Sequence, residues 1–397
     1  MRETTTSSLI LLLMLCIGPL CLMAQHPYYL SHQIDSLLAK DSNGYKYQTA
    51  SWNYSFIGNY KQAIVVKEQQ YPSAKASEPS DEQIAFFKPY RAVDARAAIL
   101  KEASATRVFI INEAHYSSLH RAYLSSLLPD LVNMGYAFIG MEALGYEDTL
   151  LQQRSYPIIS TGFYTQEPSF GNLIRAAIKN GLHVFPYEQK FEDSAQKAMG
   201  REKSQALNIK AMMDKHPSAK FIIYCGYDHA AEDTLRNFMG LPMAGQLKQL
   251  TGINPFTVDQ TALTEYIVVG SRYRKLMSGN QSVVFVDSAN QYFNRASYPK
   301  AIDCNIYHPN TEYVMGRPHW LVNNETRLEL LGSKVKIAFP CLLKVYLASD
   351  DRKVAVPIDV VELKSAADQV ASVLLKNKKQ VVEVVNAQGH KQLIEIK

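Results

Sequence analysis

Cysteine and tryptophan are scarce in this chain, with five and two residues among 397. Cys16 and Cys21 fall in the first apolar run. That leaves Cys225, Cys304 and Cys341, an odd number at wide spacing, which builds neither a disulfide framework nor a zinc knuckle. Stability therefore has to come from a buried core, and a chain of this length can supply two or three domains. Long apolar runs are also missing. Residues 9–23 are interrupted by Gly18-Pro19, and no later stretch approaches the ~20 residues of a membrane span. No charge sign dominates: 42 basic and 37 acidic residues are dispersed, and the longest basic tract is 376–379, which argues against a nucleic-acid partner. There is no Gly-rich phosphate loop, no Gly-x-Ser-x-Gly elbow and no His-Glu-x-x-His helix. Those absences exclude a nucleophile-elbow serine hydrolase and a thermolysin-like protease.

The chain opens with Met1-Arg2, the apolar run and then Ala24-Gln25. This reads as a signal peptide over 1–24, with a retained anchor as the alternative, and implies a periplasmic or extracellular protein with no stable membrane span after cleavage. Helical spacing over 30–40 and 45–69 gives a helical lead-in, and the Pro/Ser-containing stretch 72–81 reads as a linker, so 25–80 forms one segment. Over 81–334 short apolar runs alternate with amphipathic stretches, the pattern of an α/β domain with a mainly parallel sheet flanked by helices. Strands are expected at 108–112, 137–141, 183–187, 220–225, 255–259 and 282–287, with helices at 119–133, 171–180, 194–215 and 230–239. Beyond about residue 335 the helical period fades, and 335–397 reads as a small C-terminal β domain of antiparallel strands.

Ionisable residues follow each of the first four strands: Glu113 and His115, then Glu142, then Glu188, then Asp228 and His229. In an open parallel sheet these positions converge on the crevice beyond the strands' carboxyl ends, where ligands bind. A histidine there acts as a general base when a carboxylate orients its other ring nitrogen, which makes His115 the candidate base and Glu113, Glu142 or Glu188 its orienter. His229 could polarise a carbonyl or protonate a leaving group. His115, Glu142 and His229 would also suit a divalent metal. Arg121, Arg175 and Arg201 could steady a carboxylate or an anionic substrate, with Asp228 beside them. His120, His183 and His216 read as structural. His308 and His319, in the Tyr-rich stretch 307–320, are candidates for a pocket wall.

The ordered segments Ile111-Asn112-Glu113-Ala114-His115, Arg121, Gly140-Met141-Glu142, Tyr187-Glu188, Arg201-Glu202 and Gly226-Tyr227-Asp228-His229 resemble the erythromycin-esterase-like, ChaN-like and TIKI superfamily over roughly 107–264. The resemblance implies that Glu113 and His115 match its Gly-Glu-x-His element, Glu142 its second-strand glutamate and His229 its late histidine. Asn112 stands where the family usually has glycine, and the Glu-Ala-His spacing is nearer to the ChaN-like branch. One branch hydrolyses esters with the first histidine activating water, another is a metal-dependent peptidase, and a third binds haem. The expected function is hydrolysis of an ester or amide in a small molecule or peptide, with a haem- or ligand-binding module as the alternative. The cofactor is left open by this reading, with a divalent metal or haem as the candidates.

Overall fold

The computed structural model describes residues 28–396 apart from 71–77, 143, 191–192, 236–239, 267–272, 278 and 295–300. The signal-peptide reading and most of the linker lie outside the described residues.

Six short strands form one parallel sheet: β1 (Val108–Glu113), β2 (Tyr136–Met141), β3 (His183–Pro186), β4 (Lys220–Gly226), β5 (Phe256–Asp259) and β6 (Cys304–Asn305), in the order β3-β2-β4-β1-β5-β6. Alternation along β1 sends Phe109 and Ile111 to one face and Val108 and Ile110 to the other, and both sets are buried because helices cover both faces. On the first face lie Ala95–Ala105, α1 (Ser118–Asn133) and α2 (Pro168–Lys179). On the second lie α3 (Arg201–Lys215) and α4 (Met243–Thr251). In α1, Leu124, Leu127, Leu128 and Leu131 recur at i, i+3, i+4 and i+7, so one apolar stripe faces the sheet and all four are fully buried.

The chain leaves β1 over the first face toward β2 and leaves β4 over the second face toward β5, although β1 and β4 are neighbours. Connections that diverge from two adjacent strands open a crevice at their carboxyl ends. Glu113 pairs with Gly226 there, at the last residues of both strands.

Three helices precede this unit, Ser31–Lys40, Lys46–Phe56 and Tyr60–Glu68. Their apolar faces pack on Leu342 and Val360, and Ile64 packs on Ala114 and Tyr116 beside β1. The C-terminal part is antiparallel, as expected. Cys341–Leu347 lies between Asp359–Leu363 and Gln380–Asn386, which in turn pairs with Lys391–Ile396.

Three expectations are corrected. The run 282–287 forms Val283–Val286, which leaves the parallel sheet to pair antiparallel with Arg91–Asp94, since a buried apolar run does not declare its partner. The helix expected at 230–239 is absent from its described part: Tyr227–Ala230 is a single 3₁₀ turn, and the helix is α4 instead. Residues 335–340 form no strand, and Pro340 supplies no ladder donor.

Candidate active site

Glu113 is the last residue of β1, and alternation places it on the face of Phe109 and Ile111, turned toward α1. It is 2% exposed, and its carboxylate is saturated. Arg121, one turn into α1, donates Nε to Oε2 at 2.6 Å and Nη2 to Oε1 at 2.7 Å, the planar fork that only arginine supplies. Tyr224 of β4, on the same face, donates its hydroxyl to Oε2 at 2.6 Å. Burial works against the charge of Glu113, but the Arg121 guanidinium, with His115, outweighs it and holds the carboxyl far below the usual range.

Arg121 is itself fully buried, and its Nη1 bonds Glu167 at 2.9 Å. Glu167 caps α2 by accepting from the Ser169 and Phe170 N–H groups, with Pro168 at the first helical turn, and it receives the Tyr60 hydroxyl at 3.0 Å. The N-terminal helices thus reach the site through Tyr60.

His115 Nδ1 lies 2.9 Å from Glu113 Oε1. An ionised carboxylate only accepts, so Nδ1 carries the proton and Nε2 holds the lone pair. Nε2 has no hydrogen-bond partner among the described residues. The ring stacks on Tyr164 at 4.1 Å and meets Tyr227 edge-on at 5.1 Å. Its Cε1 and Nε2 rest over Gly226, where a Cβ would stand 2.3 and 2.4 Å from them. The Gly226 N–H donates to Glu142 Oε2 at 2.5 Å, which sets that carboxylate beside the His115 ring.

Glu142 also receives Arg201 Nη2, and Arg201 forks onto Glu188 through Nε at 3.0 Å and Nη2 at 2.5 Å. Burial opposes the charge of Glu142, but His229, His115, Arg201 and the Gly226 N–H together keep its carboxyl below the usual range. His229 Nδ1 lies 2.7 Å from Glu202, which also accepts the Met243 N–H at the start of α4. Its Nε2 lies 2.8 Å from Arg201 Nη1 and 3.5 Å from Glu142. In the neutral imidazole Nε2 accepts this hydrogen bond from the Arg201 guanidinium.

Burial and Arg201 oppose charging His229. The two carboxylates outweigh them and raise its pKa above the ordinary histidine value. A raised folded-state value means that protonated His229 contributes stability that is fully present below the ordinary value and is lost as the pH rises through the raised one. The gap in unfolding free energy between the wild type and His229→Asn is accordingly expected to be larger at about pH 6 than at about pH 9. Urea unfolding at both values checks it, and equal gaps would contradict the carboxylate pull.

The structure therefore joins Glu113, His115, Glu142, Glu188, His229, Arg121 and Arg201. Two candidates fall elsewhere. Arg175 on α2 turns to the C-terminal part, bonding the Val356 carbonyl and Asp350. Asp228 is exposed and lines a separate polar cavity of ≈ 50 Å³ with Asn112, Asp259 and Asn305. An anion-binding role for Arg121 and Arg201 does not fit either, since Glu113, Glu167, Glu142 and Glu188 already occupy both guanidiniums. Glu167, Glu202, Tyr60, Tyr164 and Tyr224 join the site without having been singled out for it. Pro168 is a helix-start signal that marks Glu167 as a cap. His120 and His308 are fully buried: His120 accepts the Ala114 N–H, burial pushing its pKa down to about 4, and His308 bonds Gln260 and Ser282.

No family model matches the chain, and neither does any curated protein. Among solved structures, the type III effector HopBA1 superposes with a TM-score of 0.34 at 12% identity, covering 60% of this chain and 99% of the effector. A likeness at that level carries no functional argument.

Among the described residues no group of three or more His, Cys, Asp or Glu side chains is arranged to hold a metal ion. The cation amid Glu142, Glu188 and His229 is the Arg201 guanidinium, so the residues do not fit a metal there. Of His115, His229 and Tyr307, only His115 Nε2 is open to a haem, because both nitrogens of His229 are engaged and Tyr307 packs in a separate core with Phe87 and Phe285.

Proposed function

We propose that this chain hydrolyses an ester or amide bond, with His115 as the general base. The observation that carries this reading is the His115 ring itself, with Nδ1 fixed by an ion-paired buried glutamate and Nε2 left without a partner in the crevice. In the first step Nε2 takes a proton from a water whose oxygen attacks the carbonyl carbon. Glu113 keeps the tautomer and stabilises the imidazolium, the role that makes such a pair effective. The Tyr164 hydroxyl has no hydrogen-bond partner among the described residues. Burial, reinforced by Glu142 and Glu113, raises its pKa, so it remains a donor for the developing oxyanion. The imidazolium then returns its proton to the leaving oxygen or nitrogen as the bond to carbon breaks. His229 and Glu188 position Arg201 and, through it, Glu142. The ordered motifs from Glu113 to His229, with their resemblance to the superfamily, support the same reading, and the leader-like residues 1–24 support a place outside the cytoplasm.

The test is turnover of ester and amide panels by the purified protein, with and without a chelator. Turnover that survives chelation and needs His115 is the expected result. If every hydrolysable panel member is left intact, or chelation abolishes turnover, the proposal fails.

Gly226 gives a second check. Its backbone is ordinary, φ −91° and ψ 146°, so alanine costs nothing in conformation and acts only by displacing the His115 ring. Gly226→Ala is expected to lower kcat about 10²-fold, with an overpacking cost of about 1–3 kcal/mol. Steady-state kinetics beside a denaturant titration separates the two, and unchanged kcat would place the reacting centre away from His115.

A further inference from the structure

We infer that the substrate carries an organic cation, an ammonium group seated against Trp52, Phe163 and Tyr164 beside His115. This rests on the hydrolase reading for the word substrate, but its binding step is testable without turnover.

Tyr164, whose ring covers one face of His115, belongs to a three-ring wall. Trp52 meets it edge-on at 5.2 Å and meets Phe163 at 5.5 Å, while Phe163 meets Tyr164 at 5.2 Å. Phe163 remains 50% exposed, so the wall is open to solvent on that side. Elsewhere this protein caps aromatic rings with its own cations: Arg121 lies over Phe170, Arg274 over Tyr307 and Arg317 over Tyr60. No described lysine or arginine lies over Trp52, Phe163 or Tyr164.

Charge points the same way. The connected polar network holds five glutamates, Glu113, Glu142, Glu167, Glu188 and Glu202, and two arginines, Arg121 and Arg201. With His115 neutral it carries a net of three negative charges when His229 is neutral and two when His229 is protonated, in a protein whose overall charge is +5. After burial, Glu142 and Glu113 act on the Tyr164 hydroxyl ahead of the opposing Arg121 and Arg201, and Glu68 and Glu265 add smaller contributions at Tyr116. An anion entering here meets repulsion and finds both guanidiniums occupied. A neutral ligand gains only ring contact, whereas an ammonium gains the ring faces and the carboxylate field together. His115, 8% exposed and with Nε2 unpartnered, is the polar group this ligand would be held against.

The experiment is calorimetric titration of the full chain with choline, its uncharged carbon isostere neohexyl alcohol, and the tert-butylacetate anion, three probes of one shape and three charges. Choline is expected to bind about tenfold tighter than the alcohol, with the anion weakest. Trp52→Leu and Phe163→Leu are each expected to bring choline down toward the alcohol. Half-exposed Phe163 keeps the test valid should Trp52→Leu unfold. Anion binding equal to choline, or a choline advantage that survives both substitutions, overturns the inference. If choline binds as expected while no ester or amide is cleaved, hydrolysis falls and the cation site stands. If esters of all three charges are cleaved equally well, the cation site falls and hydrolysis stands.

Discussion

Replacing His115 by alanine is expected to lower kcat/KM by about 10²–10⁴-fold, the usual contribution of a positioned general base, while the protein stays folded. The fold should tolerate the change because Glu113 keeps three of its four hydrogen bonds, two from Arg121 and one from Tyr224. The vacated space beside Tyr164 and over Gly226 lies at the crevice and not in a sheet core. Imidazole added to the His115→Ala protein is expected to restore part of the rate, since the Glu113 carboxylate that would orient it is still fixed. Kinetics with and without imidazole, beside circular dichroism, checks both halves. Full activity in the variant on a true substrate would end the general-base assignment.

The row of ionisable residues at strand ends was legible because βα units fix where the chain leaves a strand. Glu113, His115, Glu142, Glu188 and His229 could be grouped from position alone. Their division of labour was not legible. Which face Glu113 turns to follows from the alternation of Phe109 and Ile111, but Tyr224 joins it only through the β1–β4 register, and register between strands about a hundred residues apart leaves no local trace. Glu202 was visible as part of Arg201-Glu202, yet its bridge between His229 and α4 depends on where α4 begins, and the helix was expected at 230–239, before Met243 where α4 starts. Arg175 shows the opposite failure. It has the side chain to grip an anion, and helix α2 is in the right layer, but its side chain turns to Asp350, a partner supplied by the C-terminal part.

The N-terminal helices illustrate the same limit at the level of the fold. Their spacing announced helices and a need for a neighbour, since so short a unit cannot bury its own face. It did not announce that Trp52 would pack on Phe163 and Tyr164, or that Tyr60 would donate to Glu167. A segment that reads as a lead-in therefore forms a wall of the candidate site. Residues that act through shape or through a second carboxylate carry no spacing signal, whereas those that end strands do.

Arg121→Met is expected to be the most destabilising single change in the site, by about 3–5 kcal/mol, because removing one partner leaves buried charge uncompensated. Arg121 is fully buried between Glu113 and Glu167, and methionine fills the space without a donor. Glu113 would then answer to burial, which already pushes it toward the neutral form and is overridden by Arg121. The sign of the pH dependence follows. Glu113 has a depressed folded-state value, so its contribution in the wild type is present above the ordinary glutamate range and is lost as the pH falls through the depressed value. The wild-type advantage over Arg121→Met should therefore shrink in acid, where the variant's Glu113 carboxyl takes up a proton and no longer leaves a buried charge uncompensated. Arg121→Lys should recover only part of the loss, since an ammonium keeps the charge but cannot fork onto Glu113 while reaching Glu167. Denaturant unfolding of the three proteins from neutral pH into acid measures all of this. A gap independent of pH would mean that Arg121 stabilises by packing alone, and the Glu113–Arg121–Glu167 chain would then no longer account for the fixed proton on His115 Nδ1.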